Sequence, residues 1–183
     1  MRSERVRDGV EVVHFDEQER LALRLEHRHV ATREAATLVH HLALAVAEEN
    51  AKRLGLSNLR FVLGSWFWAI PGEWERSLES DLRFDLVASN PPYVAGDDPH
   101  LLQGDLRFEP AGALTDFADG LSCIRQLIAG APAHLRPGGW LLMEHGWQQA
   151  PAVRELLSAA GFIDVASWQD LAGHERVTGG RWR

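Results

Sequence analysis

Cysteine is almost absent from the 183-residue chain, since Cys123 is its only one. A disulfide within the chain cannot form, which fits a reducing compartment, and the thiol is better explained as a small apolar side chain than as a nucleophile. The sequence also lacks an apolar run of the roughly 18–20 residues that a bilayer span needs. The charged N-terminus has none of the apolar centre of a secretory signal. Together these absences predict a cytoplasmic protein without a membrane span.

Basic residues are also few, because 19 Lys and Arg stand against 26 Asp and Glu and give a formal net charge of −7. Proteins that hold nucleic acid by its phosphates usually present a basic face, since release of phosphate counterions drives the association. The charge balance therefore disfavours nucleic acid as the main partner and favours a protein. His27 with His29 and His40 with His41 lack the companion ligands and spacing of a zinc site, so we expect no metal.

Hydrophobic periodicity predicts an α/β protein. Apolar residues recur at spacings of three and four from Thr32 to Leu54, which indicates one helix with Gly55 as its C-terminal cap. Residues 10–15 are a weaker strand candidate, and residues 21–25 could form a strand or a helix. Clearer strands are predicted at 59–63, 84–88 and 140–144, helices at 121–135 and 150–160, a long loop at 94–119, and final strands at 162–165 and 176–182. This alternation is typical of a parallel sheet with covered faces, closed here by an antiparallel hairpin.

The segment Asn90-Pro91-Pro92-Tyr93 directly follows the predicted strand 84–88. Ligands collect at the carboxyl ends of strands in an open α/β sheet. The Asn90 side-chain carbonyl and the Pro91 backbone carbonyl can accept hydrogen bonds from a planar NH₂ group, and Tyr93 offers it a flat face. Holding those hydrogens out of plane localises the nitrogen lone pair and stabilises the charge that develops on methylation.

This loop predicts methyl transfer to an amide or amine nitrogen. Asn90, Pro91 and Tyr93 are the predicted catalytic residues, and Pro92 completes the predicted substrate-binding loop. A proline pair also ends strands that have no such function, because proline cannot donate to a strand ladder. That structural explanation is the alternative.

Further segments follow this loop in a fixed order, at residues 99–101, 103–110, 113–114, 119–121, 141–149 and 175–181. Together with Asn-Pro-Pro-Tyr they resemble the HemK-type release factor glutamine methyltransferases, which methylate the glutamine of the Gly-Gly-Gln motif in peptide chain release factors. The resemblance extends from about Ala43 to the C-terminus. It is specific because several separate segments agree in order.

The resemblance implies a Rossmann-like class I methyltransferase fold, S-adenosylmethionine as the methyl donor, and a release factor as the protein substrate. By position, Asn90 to Tyr93 would bind the substrate glutamine, and Asn90 would also lie beside the donor. Trp66 would pack near the adenine of the donor, although an ordinary core aromatic is an equally open interpretation. Residues 107–110 would shape the pocket entrance.

The donor-binding features of that family are missing upstream. Its Gly-rich turn after the first strand lets the backbone approach the donor closely, whereas this sequence has no glycine between Gly9 and Gly55. The acidic residue that follows the second strand in the family is missing too. We therefore expect residues 1–42 to be an atypical segment, 43–183 a partial catalytic domain, and the sheet to be incomplete at its N-terminal edge.

A reading frame truncated or altered upstream of Ala43 is the hypothesis that explains this gap, and weak donor binding is its expected consequence. Two alternatives to a release factor methyltransferase stay open. One is an amino methyltransferase that acts on adenine or guanine in nucleic acid, and the other is an inactive methyltransferase fragment.

Overall fold

The computed structural model describes residues 10–14, 33–38, 41–57, 59–63, 67, 83–102, 104, 108 and 110–183. Within them the strands are β1 (Val10–His14), β2 (Arg33–Leu38), β3 (Leu59–Leu63), β4 (Phe84–Ser89), β5 (Leu135–Glu144), β6 (Ile163–Gln169) and β7 (Glu175–Arg181). The helices are α1 (His41–Leu54), α2 (Ala111–Leu114), α3 (Ser122–His134) and α4 (Ala150–Ala159). A 3₁₀ turn covers Pro99–Leu102, inside the predicted loop.

All seven strands form one sheet in the order β3-β2-β1-β4-β5-β7-β6. The strands from β3 to β5 in that order are parallel, and β7 is antiparallel to both β5 and β6. This confirms the predicted α/β sheet and its antiparallel closing hairpin. The strand order reverses between β1 and β4, which is where open α/β sheets form their ligand crevice.

The expectation of a sheet that is incomplete at its N-terminal edge is corrected by the strand pairing. β1 lies in the middle of the sheet, with Val12 opposite Ala35 of β2 and opposite Val87 of β4. β2 in turn pairs with β3. Residues that do not resemble the family in sequence thus still supply both strands. Three valines, which favour strands, account for β1, whereas β2 forms by pairing with β1 and β3 on its two sides.

The predicted helix from Thr32 was wrong in its first part. Arg33–Leu38 is strand β2, and α1 begins only at His41. A short apolar run does not distinguish an inner strand from a buried helix by its periodicity, so pairing with both neighbours decides. The predicted cap is confirmed, since Gly55 has a φ of +69° and its N–H donates to the Lys52 carbonyl at 3.1 Å.

The core lies between strands β4 and β5 and helices α3 and α4. Its fully buried members include Phe84, Ile124, Leu141, Met143 and Leu157. This packing anchors the carboxyl ends of β4 and β5, from which the loops of the candidate site emerge. Among the helices in the described ranges, none is long and apolar enough to cross a membrane.

Candidate active site

The Asn90–Tyr93 segment leaves the sheet at the carboxyl end of β4. Pro91 is fully buried, whereas Asn90, Pro92 and Tyr93 are half-buried. The two prolines end the strand since neither has an N–H to donate. Anchoring at Pro91 with partial exposure on either side is the arrangement expected of a loop that meets a ligand.

The Tyr93 side chain is held by the neighbouring strand. Its hydroxyl donates a hydrogen bond of 3.0 Å to Oε1 of Glu144, the last residue of β5. The ring also packs against the main hydrophobic core. These contacts restrict the direction in which the aromatic face points.

The backbone after Tyr93 is held by the segment that follows α2. The Val94 N–H donates to the Leu114 carbonyl and the Gly96 N–H to the Ala118 carbonyl, each at 2.9 Å. Gln149, which precedes α4, donates from its side-chain amide to the Tyr93 carbonyl at 3.0 Å. The backbone from Tyr93 to Gly96 therefore contacts the end of α2 and two loop segments, the one that follows α2 and the one that precedes α4.

Asp116 organises the loop that faces Val94 and Gly96. Its carboxylate accepts hydrogen bonds from the backbone N–H groups of Ala118, Gly120 and Ser122, and from the Ser122 hydroxyl. Burial by itself would raise the pKa of Asp116, but the hydrogen bonds, led by the Ser122 hydroxyl, outweigh it and lower that pKa. The loop is thus built around an ionised carboxylate.

Two residues of this loop adopt left-handed backbone conformations. Phe117 has a φ of +56° and is 70% exposed, an unusual combination for a large side chain. Gly120 has a φ of +78°, and a Cβ there would lie 2.6 Å from the Tyr93 carbonyl oxygen. Only glycine permits this approach between the two loops.

Next to Glu144, a buried hydrogen-bond chain stabilises the start of the loop after β5. His145 Nδ1 lies 2.9 Å from the Gly146 carbonyl, an acceptor, so Nδ1 carries the proton and Nε2 accepts from the Thr178 hydroxyl at 2.7 Å. Thr178 in turn accepts from Ser167, which accepts from Arg154. Burial lowers the pKa of His145, in agreement with this neutral imidazole.

The side of the crevice where the methyl donor would bind carries fewer of the expected residues than the side formed by the Asn90–Tyr93 loop. Ser89 is buried, lies opposite His14 of β1, and its Oγ has no hydrogen-bond partner in the described part of the chain, so one polar group there is suited to a ligand. However, β1 ends at His14 and the sequence has no glycine from there to Gly55. A close backbone approach to the methionine end of S-adenosylmethionine requires glycine at that turn. The sequence after β1 therefore lacks the glycine that this approach requires.

Some predicted site residues lie outside the described residues. Trp66 is one, as are Arg107 and Glu109 of the predicted pocket entrance. Phe67, next to Trp66, stacks on the His134 ring of α3 with centroids 4.6 Å apart. Across the described ranges, no group of three or more His, Cys, Asp or Glu side chains could hold a metal ion.

Sequence reasoning did not identify the contacts of Glu144, Gln149, Asp116 and Gly120. The Asp119-Gly120 pair carries a local signal, because such dipeptides mark turns. The contacts of Glu144 and Gln149 with Tyr93 span 51 and 56 residues of sequence, and no local pattern encodes them.

Solved structures define the class of protein to which this fold belongs. A methyltransferase from Pyrococcus furiosus matches with a TM-score of 0.61 and 20% identity, over 95% of this chain and 74% of that chain. A Streptococcus mutans protein solved in complex with SAH matches with a TM-score of 0.56 and 15% identity, over 95% of this chain and 88% of that chain. The fold is that of a class I methyltransferase.

Curated relatives identify the family within that class. A release factor glutamine methyltransferase from Xylella fastidiosa (strain Temecula1) is 55% identical over 139 residues, which cover 76% of this chain and 47% of that protein. One from Bordetella pertussis is 52% identical over 145 residues, covering 79% and 50%. Over the matched residues, the chain belongs to the HemK-type release factor glutamine methyltransferases.

The chain spans about half the length of the curated relatives it matches. No family model matches it.

Proposed function

We propose that this chain contains the acceptor half of a protein-glutamine N5-methyltransferase. The proposed substrate is the glutamine in the Gly-Gly-Gln motif of a peptide chain release factor, and the proposed donor is S-adenosylmethionine. One observation carries the proposal: the Asn90–Tyr93 loop is anchored at the crevice of a methyltransferase fold, in a chain 55% identical to release factor glutamine methyltransferases over 139 residues.

In this proposal Asn90 and Pro91 act on the amide nitrogen. Their carbonyl oxygens accept hydrogen bonds from the substrate NH₂ group and stabilise the positive charge that develops on its nitrogen. The Tyr93 ring packs against the planar amide, and its hydrogen bond to Glu144 holds it in place. Pro92 keeps this backbone in one conformation, because its φ is fixed.

The proposed site needs no carboxylate base, since the proton can leave after methylation has made the nitrogen acidic. A net charge of −7 supports a protein rather than a nucleic acid as the substrate. Because release factors act in translation, we also propose a cytoplasmic location.

Donor binding is the weaker half of the proposal. Asn90 and Trp66 are the residues that we assign to it. The absence of glycine between Gly9 and Gly55 favours a second candidate function, in which the chain binds the acceptor but transfers no methyl group. A boundary near residue 42, with a partial catalytic domain at 43–183, stays a prediction.

Labelled methyl donor distinguishes these functions. The purified chain is incubated with labelled S-adenosylmethionine together with a release factor in one reaction and together with oligonucleotides in another. Calorimetry measures the binding of each component to the chain. We expect any label to appear on the Gly-Gly-Gln glutamine. Release factor binding without label supports the acceptor-only function, whereas label on a base, or no release factor binding, contradicts the proposed substrate.

A further inference from the structure

We propose that Gln149 is a positioning residue that sets the geometry of the Asn90–Tyr93 loop. It does so by joining that loop to the Asp119-Gly120 turn and to the start of α4. The inference about loop geometry rests on contacts within the chain. Its consequence for substrate binding rests on the proposed function.

The side-chain amide of Gln149 uses all its polar groups in this cluster. Its Oε1 accepts from the Gly146 N–H at 2.8 Å, and its Nε2 donates to the Tyr93 carbonyl at 3.0 Å and to the Gly120 carbonyl at 3.1 Å. A backbone N–H can only donate and a carbonyl can only accept, so these partners fix the orientation of the amide. Glutamine supplies this combination of one acceptor and two hydrogens on one nitrogen.

Gln149 is itself firmly attached to the core. Its own N–H donates to the Gly146 carbonyl at 2.8 Å, and its carbonyl accepts from the Val153 N–H at 3.0 Å in the first turn of α4. Val153 and Leu157 of that helix are fully buried. The side chain therefore extends from a fixed point, and its hydrogen bonds transmit that position to Tyr93.

The two carbonyls that Gln149 bridges belong to different loops. The Tyr93 and Gly120 oxygens both point towards one nitrogen, and without the NH₂ group two electron-rich atoms would face each other without a donor. A partly buried carbonyl that lacks a donor is destabilised, so the loops would move apart or admit water. Tyr93 is itself proposed to pack on the substrate amide and is close in sequence to Asn90 and Pro91, so such a movement would change the geometry of all three.

Gln148 provides a matched control. It has the same side chain and lies one residue earlier in the chain, but it is exposed. Gln149→Glu keeps the acceptor oxygen for Gly146, removes both donated hydrogen bonds and adds one negative charge. Gln148→Glu adds the same charge one residue away, so the difference between the variants isolates the lost hydrogen bonds. Gln149→Met removes the polar contacts without a charge.

Hydrogen exchange of the Val94 and Gly96 amides tests the loop geometry in the full chain. Gln149→Glu and Gln149→Met should accelerate that exchange by roughly tenfold or more, since two hydrogen bonds are lost. Amides that pair β6 with β7 serve as an internal reference and should exchange as in the unaltered chain. Unchanged exchange at Val94 and Gly96 in both variants, or equal acceleration in Gln148→Glu, would overturn the inference.

Affinity for a release factor, measured on the same proteins by calorimetry, tests the functional consequence. We expect both Gln149 variants to bind about tenfold more weakly and Gln148→Glu to bind as the unaltered chain does. If the unaltered chain does not bind, the proposed function fails while the exchange result still decides the role of Gln149. Faster exchange with undiminished affinity would overturn the claim that this loop geometry matters for the substrate.

Discussion

At the scale of single residues, two different neighbours hold the two ends of Tyr93. Its hydroxyl donates to Glu144 and its backbone carbonyl accepts from Gln149. Between these points lies the aromatic ring that we assign to the substrate amide. Fixing both ends lowers the conformational entropy that the loop would otherwise lose when substrate binds.

Replacing Tyr93 by Phe separates the hydroxyl from the ring. We expect the free energy of unfolding to fall by about 1 kcal/mol, because one partly buried hydrogen bond is lost, and release factor affinity to fall only a few-fold, because the flat face remains. Tyr93→Ala should reduce affinity much further. Chemical denaturation and calorimetry measure both effects, and equal affinities of the Phe and Ala variants would contradict the assigned role of the ring.

The sequence predicted where the Asn90–Tyr93 loop lies in the fold better than it predicted the contacts that hold the loop. Its position at the end of β4 was predictable because a buried strand and the residues that end it are adjacent in the chain. Glu144 and Gln149 were not, since they reach Tyr93 only after β5 has paired with β4 and α4 has packed on the core.

At the scale of elements, β2 illustrates why secondary structure could be predicted only in part. Ala35, Ala36 and Leu38 suit a helix or an inner strand equally, and pairing with β1 and β3 decides for the strand. The helices α3 and α4 were predicted close to their observed bounds because each ends at Gly, Pro or a strand start. Local signals thus determined elements that have clear ends, and tertiary pairing determined the rest.

The contact between the Asp116–Ser122 loop and Tyr93 can be tested by Gly120→Ala. Both a strained φ of +78° and a Cβ placed 2.6 Å from the Tyr93 oxygen should destabilise the protein and displace the candidate loop. Gly173→Ala is the control, because Gly173 has a φ of +84° but nothing within 4 Å of an added Cβ. We expect both variants to lose about 1 kcal/mol from backbone strain.

Gly120→Ala should lose stability beyond this strain energy and should bind the release factor more weakly, whereas Gly173→Ala should do neither. Denaturation measures the stability and calorimetry the affinity. If the two variants behave alike, the close approach of the loops does not matter for binding.

At the scale of the whole molecule, a series of hydrogen bonds through His145 joins the loop after β5 to β6, β7 and α4. It connects His145 to Thr178, Ser167 and Arg154, and Arg154 also pairs with Glu175 at 3.0 Å. In the neutral imidazole Nε2 accepts from the Thr178 hydroxyl. Protonation of His145 would place a charge in this buried position and would make the Thr178 hydroxyl turn to accept from Nε2.

This arrangement predicts a pH dependence of stability. Burial lowers the pKa of His145 below its usual 6.5, so the unfolded chain binds the proton more readily than the folded chain does. The stabilisation from the neutral imidazole is therefore complete above about pH 6.5 and decreases as the pH falls towards the folded pKa. Denaturation at about pH 7.5 and about pH 5.5 measures it.

The control is His145→Gln, since a glutamine side chain does not titrate. This variant should be less stable, and its free energy of unfolding should depend less on pH in this range. The same pH dependence in both proteins would contradict a neutral, buried His145.

The proposed function is more specific for the substrate than for the methyl donor, because the sequence has no glycine between the end of β1 at His14 and Gly55. The proposed function therefore depends most on recognition of a glutamine amide by the Asn90–Tyr93 loop.

The most direct test compares the affinity of the chain for a release factor with its affinity for the same factor carrying alanine in place of the Gly-Gly-Gln glutamine. We predict roughly tenfold or greater preference for glutamine. Asn90→Ala should remove that preference without changing the fold, while Asn50→Ala, an exposed residue of α1, should leave it intact. Equal affinity for both release factors, or an undiminished preference in Asn90→Ala, would contradict the account.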